Sequence, residues 1–465
     1  MESVIGKELI IKDPSPEIRA WARANLIIDN PDYIKKERMG LWTGGTPKKL
    51  TLYTENGSSL ILPAGCYVFV KNMIGPLAST FPDFVEFIPA NINLYGYQQK
   101  AVEQVINKHF GILKAPCGSG KTQMGLWLAG RGGRVLWLVH TQDLLKQSYN
   151  RALQFYEKEE LGTITDGKVN IGSRITFATV QTMDKLDLTK YENEWNTVIV
   201  DECHHCVGAP TKVMMFYRVL SSLAASRKYG LSATVHRADG MIKSLFAILG
   251  PVQAEVTDAD VADKTSRVDV VRVDTGIKIS PECLDTDGTL VYSKLINYLA
   301  ENDKRNKQIA DNVALWYDQH SSLCLSDRLE QLAAIKELLP SYGVDPNCIR
   351  YIDGKVKGSD REAALEDMRT GKAKILLASY SLAKEGLDIT NLDRVHFMTP
   401  QKDYAVVLQS AGRVARVAEG KEKGTVYDYT DDIGYCKKAF TARKKHYKEK
   451  GYVVYDADEI RISAG

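Results

Sequence analysis

The stretch that decides the fold reads Ala115-Pro116-Cys117-Gly118-Ser119-Gly120-Lys121-Thr122. It follows an apolar run over residues 111–114 and precedes a helical pattern over residues 123–129. Glycines at such a turn let backbone N–H groups close around phosphate oxygens, and the N-terminus of the following helix adds a positive dipole. In this pattern Lys121 reaches the β- and γ-phosphates and the Thr122 hydroxyl holds Mg²⁺. Residues 115–122 therefore predict a phosphate-binding loop in an α/β fold, with Ala115 in place of the usual first glycine.

The length and composition bound the classes of protein to consider. A chain of 465 residues favours two or three domains, and 44% hydrophobic, 9% aromatic and 26% charged residues are ordinary for a globular protein. No apolar stretch reaches the roughly 18 residues of a membrane span, and the first residues lack the pattern of a secretory signal. Eight cysteines in a chain of this length do not indicate a disulfide framework. We therefore expect a cytoplasmic protein with no membrane partner.

From about residue 93, short apolar runs alternate with amphipathic stretches, which is typical of βα units around parallel sheets. The strands predicted in this way cover residues 135–139, 175–178, 198–200 and 229–231, and then 323–325, 349–352, 375–378, 395–398 and 425–429. Between the two groups the regularity fades. The prediction is therefore an accessory domain, a first lobe, a linker and a second lobe with a basic tail, over residues 1–92, 93–255, 256–304 and 305–465.

The expected accessory domain carries a hairpin signal. Lys49 to Tyr53 and Ser59 to Leu62 flank Glu55-Asn56-Gly57, and Asn-Gly tolerates the positive φ of a tight turn. By shape alone, this hairpin is a candidate for a wedge at a fork. Cys66 to Lys71 predict a further strand, and Trp42 is expected in the core rather than stacked on a nucleobase.

Two acidic residues, Asp201 and Glu202, follow directly after the apolar run that ends at Val200. The carboxyl ends of parallel strands are where ligands bind in open α/β sheets. Asp201 is predicted to hold Mg²⁺, and Glu202 to orient and deprotonate an attacking water. Cysteines and histidines at 203–206 also raise the question of zinc, but no second pair lies at ligand spacing nearby, so we do not predict a zinc site.

A helical stretch over residues 409–416 carries Gln409, Arg413 and Arg416 on a common face. In isolation, such a segment would be interpreted as an ordinary basic helix surface. Arginines delivered to a triphosphate neutralise the charge that builds in the transition state, so, together with the loop at 115–122 and the two acids, the three residues are predicted to act in catalysis. Farther along, residues 437–450 contain seven basic residues and one acidic residue. On charge alone, a solvated helix face is favoured there over a phosphate-contacting patch.

This ordered set of motifs resembles the superfamily 2 helicases and translocases over roughly residues 93 to 440. The resemblance implies two RecA-like parallel-sheet lobes in tandem, behind a small N-terminal accessory domain, with ATP and Mg²⁺ as cofactors. It also implies adenine recognition by Gln98, coupling of hydrolysis to lobe movement by Ser232-Ala233-Thr234, and nucleotide contacts from Gly386 and Asp388. Five residues of two further motifs are implied to contact nucleic acid: His140, Thr141, Thr179, Gln181 and Thr182.

Within the superfamily, Asp201-Glu202-Cys203-His204, the Gln409 series and Arg305-Asn306 resemble the DNA-directed members. These include the XPB and RecG group and phage branch-migration helicases of the UvsW type, whereas RNA-directed DEAD-box proteins carry a different acidic motif. The resemblance implies an ATP-dependent motor that unwinds or branch-migrates forks and four-way junctions in replication, recombination or repair. A monomer is expected, in the host cytoplasm if phage-encoded, with replication or recombination proteins as partners.

Other functions stay open at this point. An RNA helicase, or a duplex translocase or clamp that hydrolyses ATP without separating strands, would carry the same motifs. A nucleotide-dependent switch or a small-molecule kinase would explain the loop at 115–122, but neither needs the series formed by Gln98, residues 179–182 and Arg413 to Arg416. Strand displacement on matched DNA and RNA substrates distinguishes a DNA helicase from an RNA helicase and from a translocase or clamp. Stimulation of ATP hydrolysis by nucleic acid distinguishes all of these from a nucleotide-dependent switch or a small-molecule kinase.

Overall fold

The computed structural model describes residues 2–116, 118–207, 214–235, 240–264, 266–354, 356, 358–384, 387, 389–401, 404–415 and 421–456. The chain divides into two compact units, one up to Asp260 and one from Val261 onward. Four of the predicted site residues lie outside the described residues, namely Cys117, Gly386, Asp388 and Arg416. Each unit is considered by itself.

The first 79 residues form a small mixed sheet, a two-stranded ribbon and three helices. Their elements are β1 (Glu2–Ile5), β2 (Glu8–Lys12), α1 (Pro16–Asn25), β3 (Ile27–Asp29), α2 (Pro31–Arg38), β4 (Lys49–Thr51), β5 (Thr54–Asn56), β6 (Ser59–Pro63), α3 (Tyr67–Val70) and β7 (Leu77–Ser79). The sheet has the order β5-β6-β2-β1-β7, and β3 pairs with β4. Both α1 and α2 begin with a proline behind a capping side chain, Ser15 and Asn30 respectively.

The structure confirms the predicted hairpin but moves its first strand. β5 pairs with β6, with Asn56 opposite Ser59, so that Gly57 and Ser58 make the turn. Lys49–Thr51 pairs with β3 instead. The predicted strand at Cys66–Lys71 is wrong, because this run forms a 3₁₀ turn and then α3. A short apolar run does not by itself distinguish a strand from a buried helical turn.

The accessory domain expected over residues 1–92 has a core that continues into the first lobe. Its buried side chains form one cluster with Phe110, Val207, Met241 and Ala247 of the first lobe. Gly65 lies so close to the lobe that a Cβ atom there would meet the carbonyl oxygen of Ala247 at 2.7 Å. The region and the lobe therefore form a single unit.

An extended segment over residues 80–95 joins this region to the first lobe and lies along it. The side chain of Asn196 accepts a hydrogen bond from the Val85 N–H at 3.3 Å and donates one to the Asp83 carbonyl at 2.8 Å. Arg174 donates to the Ile88 carbonyl and lies over the Phe87 ring. These bonds satisfy backbone groups that a segment without sheet partners would otherwise leave open.

The first lobe is an eight-stranded sheet with the order β11-β10-β12-β9-β13-β14-β8-β15, parallel except for the β10–β11 pair. Its elements are α4 (Gly96–Ile106), β8 (Phe110–Lys114), α5 (Lys121–Ala129), β9 (Val135–Val139), α6 (Gln142–Ala152), β10 (Leu161–Thr165), β11 (Lys168–Asn170), β12 (Ile175–Thr179), α7 (Val180–Met183), β13 (Thr197–Asp201), α8 (Met215–Ser221), β14 (Arg227–Ser232), α9 (Ile242–Leu249) and β15 (Val252–Glu255). Every residue of β9, β12 and β13 is buried, as expected for a parallel sheet covered on both faces.

The second unit contains a seven-stranded parallel sheet with the order β18-β19-β17-β20-β21-β16-β22. Its elements are β16 (Arg267–Lys278), α10 (Tyr292–Glu301), α11 (Asp303–Ala314), β17 (Ser322–Ser326), α12 (Leu329–Leu338), β18 (Ile349–Ile352), α13 (Gly358–Arg369), β19 (Ile375–Ser379), α14 (Tyr380–Lys384), β20 (Arg394–Phe397), α15 (Tyr404–Val414), β21 (Lys423–Asp432), α16 (Gly434–Glu449) and β22 (Val453–Asp456). All strands that the sequence predicts in the two lobes are present.

The predicted linker over residues 256–304 is wrong for most of its length. Residues 267–278 form β16, which pairs with both β21 and β22 near one edge of the second sheet, and α10 follows within the same unit. β16 therefore belongs to the second lobe and not to a connection. Within the described residues, no helix combines the length and the apolar character needed to cross a membrane.

Candidate nucleotide and nucleic-acid sites

The predicted phosphate loop lies between β8 and α5, and local bonds fix its shape. The N–H of Ala115 donates to the Ser232 carbonyl at 3.0 Å, and the Ser119 hydroxyl donates to the Pro116 carbonyl at 2.7 Å. Gly118 and Gly120 have φ angles of 83° and 78°, a backbone region that favours glycine. Because α5 begins at Lys121, its unpaired N–H groups and its positive dipole end meet the loop.

The side chain of Gln98 is hydrogen-bonded to the phosphate loop. Its Nε2 donates to the Ser119 carbonyl at 2.8 Å, and its Oε1 accepts from the N–H of Tyr95 at 2.9 Å. The hydroxyl of Tyr97 donates to the same Ser119 carbonyl at 3.1 Å. A Cβ atom on Gly120 would meet the Gln98 amide nitrogen at 2.4 Å. Gln98 therefore links the start of α4 to the loop, and its amide keeps one donor and one acceptor position for a base.

The two predicted catalytic acids lie at the carboxyl end of β13. Asp201 is 5% exposed, and its Oδ1 accepts from the N–H of Glu202 at 3.0 Å. Glu202 has a φ of 50°, which is costly for a residue with a side chain. Such strain concentrates at functional sites because it aims a side chain where regular backbone would not.

The charge of Lys121, which follows the loop, acts on the pKa of both Asp201 and Glu202. Burial raises the pKa of Asp201 to about 7, with the Glu202 charge adding to the rise and Lys121 opposing it. Burial also disfavours the charged form of Glu202, but Lys121 and His204 outweigh that effect and lower the pKa of Glu202. The site therefore contains one carboxyl group that is held ionised and another whose ionisation a nearby cation would favour.

The residues at this site are suited to bind Mg²⁺ and a nucleoside triphosphate. A buried carboxylate and a hydroxyl, from Asp201 and Thr122, are the oxygen ligands that Mg²⁺ takes alongside phosphate oxygens and water. Over Gly118 the space is open, since a Cβ atom there would find no atom within 4 Å. By contrast, no group of His, Cys, Asp and Glu among the described residues is arranged to hold a metal by itself, and Cys203 and Cys206 are buried in the apolar core.

Three histidines form a column beside the acids. The rings of His140 and His205 lie 4.1 Å apart between centroids, and those of His205 and His204 lie 4.2 Å apart. His204 Nδ1 is 3.1 Å from the Ser232 hydroxyl and 3.3 Å from Glu202 Oε2. Burial lowers the pKa of His140, and His204 adds to the effect. The column thus joins a predicted nucleic-acid contact to both a catalytic acid and the predicted coupling motif.

The other residues predicted to contact nucleic acid lie in two neighbouring segments. Gln181 is exposed, and its Nε2 donates to the His140 carbonyl at 2.7 Å, so the two segments are bonded to each other. Thr141 caps α6 through a bond from the Leu144 N–H at 3.3 Å. Thr179 is 3% exposed and donates to the Thr182 hydroxyl at 3.0 Å, which makes it a support for Thr182. In the coupling motif, the Ser232 hydroxyl donates to the Thr234 carbonyl at 2.6 Å, on the far side of Ala233.

In the second unit, α15 carries Gln409 and Arg413. Arg413 Nη1 donates to the Leu387 carbonyl at 2.8 Å. Leu387 lies between Gly386 and Asp388 in the chain, so the arginine helix and the second predicted nucleotide-contacting segment meet within this unit. The basic run at 437–450 forms most of α16, and its Arg443 is buried in an ion pair with Asp428.

Sequence reasoning missed His205 and the role of Tyr97 in holding the loop. Neither has a recognisable spacing, because the contact between the His205 and His140 rings joins residues 65 positions apart. The available signal for His205 is the doubled histidine after the acidic pair, a pattern that by itself suggests only metal ligands.

Two family models match the chain, one over each lobe. The model described as "Type III restriction enzyme, res subunit" matches residues 91–237, which include the loop, the acids and the histidine column. The model described as "Helicase conserved C-terminal domain" matches residues 305–418, which include α15.

Curated relatives match across most of the chain. A "Putative ATP-dependent RNA helicase L396" of Acanthamoeba polyphaga mimivirus is 27% identical and covers 97% of this chain and 84% of its own. The "ATP-dependent DNA helicase uvsW" of Enterobacteria phage T4 is 23% identical over 80% of this chain and 75% of its own. A "DNA 3'-5' helicase XPB" of Mycobacterium tuberculosis is 22% identical over 79% and 66%.

Among solved structures, S. cerevisiae Dbp5 bound to RNA and ADP BeF3 covers 80% of this chain and 92% of its own, with a TM-score of 0.58 and 16% identity. At that identity the likeness concerns the fold, which is that of two RecA-like lobes in tandem. The two matched domains in this order, together with the helicase relatives, identify the chain as an ATP-dependent nucleic-acid helicase of superfamily 2, related to UvsW and XPB.

Proposed function

We propose that this helicase acts on DNA and remodels branched duplexes such as forks and four-way junctions. The observation that carries the proposal is the series of side-chain contacts in the first unit that runs from His140, a residue predicted to contact nucleic acid, through the histidine column to Glu202 and Ser232. A motor needs such a connection, because the nucleic acid must alter the hydrolysis of ATP and hydrolysis must alter the grip on the strand.

The choice of DNA as substrate is supported by two relatives, which are named as DNA helicases. The sequence Asp201-Glu202-Cys203-His204 agrees with that preference. The mimivirus relative is named as an RNA helicase, so RNA is the second candidate substrate. Replication and recombination proteins are candidate partners, and we propose that the chain works as a monomer.

In the proposed mechanism, each residue has a role that its geometry supports. Thr122 and Asp201 would hold Mg²⁺, which supplies charge neutralisation at the phosphates when bound. The backbone of the described loop residues, 115–116 and 118–120, would bind the phosphates, and Lys121 would offset their charge. Glu202 would orient the attacking water and accept its proton. The Gln98 amide would contact the base.

From the second lobe, Gln409, Arg413 and Arg416 would approach the γ-phosphate and stabilise the charge of the transition state. Gly386 and Asp388 would contact the nucleotide beside them. Ser232, Ala233 and Thr234 would transmit the state of the γ-phosphate, because Ser232 is bonded to both the phosphate loop and His204. His140, Thr141, Gln181 and Thr182 would contact the strand backbone, and Thr179 supports Thr182. Backbone contacts predict weak sequence preference and strong salt dependence.

The experiment is strand separation with ATP by the wild type and by Lys121→Ala. The substrates are tailed linear duplexes, a fork and a mobile four-way junction, each in DNA and in RNA form. Lys114→Ala is the matched control, since it removes a lysine that pairs with Glu255 at the end of the strand before the loop. We expect Lys121-dependent opening of DNA forks and junctions. Preferential opening of RNA, or of tailed linear duplexes alone, would contradict the proposal.

A further inference from the structure

The loop over residues 39–46, which connects α2 to β4, exposes three large apolar side chains in the N-terminal region. Trp42 is 81% exposed, Met39 60% and Leu41 53%. The expectation that Trp42 lies in the core is therefore wrong. Single exposed apolar residues are ordinary, but three within four positions, including a tryptophan, form a patch of the kind that marks an interaction site.

This loop, hereafter the Trp42 loop, has a defined conformation. The N–H of Leu41 donates to the Lys36 carbonyl at 2.8 Å, and that of Thr46 to the Thr43 carbonyl at 3.0 Å. The Lys36 amine donates to the Thr46 hydroxyl at 2.7 Å, which ties the far side of the loop to α2. Because the backbone is already ordered, binding through this loop would cost little conformational entropy.

The Trp42 indole rests on the backbone of the same loop. A Cβ atom on Gly44 would lie 2.0 Å from the indole Cζ2 and 2.3 Å from Cε2. The ring therefore occupies the space that any other residue at position 44 would need. With 81% of the residue exposed, the ring is supported on one side and open on the other. A flat aromatic ring presented in this way is what stacking on a nucleobase requires.

The charge around the patch indicates what binds there. Residues 29–49 contain five basic and three acidic residues. Lys35, Lys36 and Arg38 lie in the last turn of α2, immediately before the loop, whereas Lys48 and Lys49 follow it, and Lys49 pairs with Asp29. Basic side chains beside a stacking aromatic ring match the backbone and bases of a nucleic acid, whereas an apolar protein partner would be poorly matched by this density of charge.

We propose that the Trp42 loop is a second nucleic-acid site, in which the indole stacks on an unpaired or terminal base while the neighbouring lysines and arginine contact the adjacent phosphates. This inference deepens the proposed function, on which it rests, by assigning the recognition of the branch point to the N-terminal region. The substrate feature that fits is a base left without a stacking partner at a junction. A continuous duplex offers no such base except at its ends.

The test compares Trp42→Ala with Trp42→Phe and Gly44→Ala. Phe keeps an aromatic ring, and the Gly44 variant keeps the indole but removes its support. The probes are a DNA fork with 2-aminopurine at the branch point, a continuous duplex and a single strand, with affinities measured by fluorescence anisotropy. Thermal melting serves as the control for folding, since exposed side chains away from special backbone positions have little effect on stability.

We expect Trp42→Ala to bind the fork about tenfold more weakly, the scale of one lost base stack, and to lose the quenching of 2-aminopurine. Gly44→Ala should be intermediate, and Trp42→Phe should retain most binding. Wild-type fork binding by Trp42→Ala would overturn the inference. So would a loss of self-association in that variant with unchanged DNA binding, because the patch would then serve a second copy of the chain.

The two proposals can fail separately. If the wild type shows no preference for branched DNA, but Trp42→Ala still weakens single-strand binding and abolishes 2-aminopurine quenching, the stacking site stands and the proposed function fails. If the wild type prefers forks and Trp42→Ala is indistinguishable from it, the proposed function stands and the stacking site fails.

Discussion

Buried carboxylates on strands of the parallel sheets occur in both units, but their surroundings differ. Asp428 in β21 is 0% exposed and accepts hydrogen bonds from Arg443 at 2.6 and 2.8 Å and from the Tyr447 hydroxyl at 2.9 Å. Asp201 in β13 is nearly as buried, but it accepts from a peptide N–H, and its pKa is raised to about 7.

This difference distinguishes Asp428, whose charge stabilises the fold, from Asp201, whose charge is available to a ligand. Asp428 has its counter-charge built into the fold, so adding another cation there would be unfavourable. Asp201 lies in a site where burial works against its charge, with Lys121 as partial compensation. A carboxylate in that condition gains from an incoming cation, and this is the state expected of a ligand site.

The test of this contrast with the largest expected effect measures the free energy of unfolding. Asp428→Asn leaves the guanidinium of Arg443, which is 2% exposed, without its counter-charge. Removing one partner of a buried pair costs about 3–5 kcal/mol, so we expect a clear drop in the unfolding midpoint in urea. Asp432→Asn is the control, because its pair with Lys437 is on the surface. An unchanged midpoint in Asp428→Asn would remove the structural half of the contrast.

Glu202→Gln tests the functional half. The amide keeps the size of the side chain but cannot accept a proton from water, so we expect kcat for ATP to fall about a hundredfold with ATP affinity and melting temperature nearly unchanged. Steady-state hydrolysis and equilibrium binding of ATP measure this. Glu255→Gln, at the end of β15, should behave as the wild type. A parallel loss of folding in Glu202→Gln would mean that this acid is structural as well.

Lys228 extends the contrast to a buried cation. It is 1% exposed, its amine donates to the Leu220 carbonyl at 2.7 Å, and burial lowers its pKa from 10.5 to about 7 despite the opposing charge of Glu8. Below pH 7 the folded state carries the cost of a buried ammonium group. Between pH 7 and 10.5 the folded state loses that proton while the unfolded state keeps it, so stability should rise with pH.

Substituting Lys228→Met removes this dependence. We expect the free energy of unfolding of the wild type, relative to that of Lys228→Met, to rise by at least about 1 kcal/mol between pH 7 and pH 10, measured by urea unfolding. A difference that is flat over this range would show that the Lys228 amine has an ordinary pKa.

The smallest expected effect concerns the connection between the two kinds of site. His140→Ala removes the ring that contacts the His205 ring, whereas His140→Phe keeps a ring there. We expect Ala to reduce the stimulation of hydrolysis by DNA about threefold with basal hydrolysis unchanged, and Phe to restore most of it. If Ala and Phe behave alike, stacking is not what His140 contributes.

Features that depend on interactions between neighbouring residues could be predicted from the sequence, whereas features that depend on contacts between residues distant in the chain could not. The strands of both lobes and the loop at 115–122 follow from local apolar runs and local turn chemistry, so they were predictable. The sequence does not predict β16, because its partner, β21, lies about 150 residues away and nothing local signals the pairing. The residue type of Trp42 predicts a core position, whereas the structure shows an exposed ring that lies against Gly44 of its own loop. The histidine column depends on the same kind of distant contact.

The shared core of the N-terminal sheet and the first lobe has a mechanical consequence. Phe110, Met241 and Ala247 pack among the side chains of the N-terminal sheet, and the segment over residues 80–95 is bonded along the lobe. Well-packed interiors have low compressibility, so a movement of the lobe carries the sheet with it. The strands that flank α2 and the Trp42 loop, β3 and β4, contribute Ile28 and Leu50 to this shared core. A rotation of the first lobe during ATP hydrolysis would therefore also displace the base of the Trp42 loop, and with it any DNA bound there.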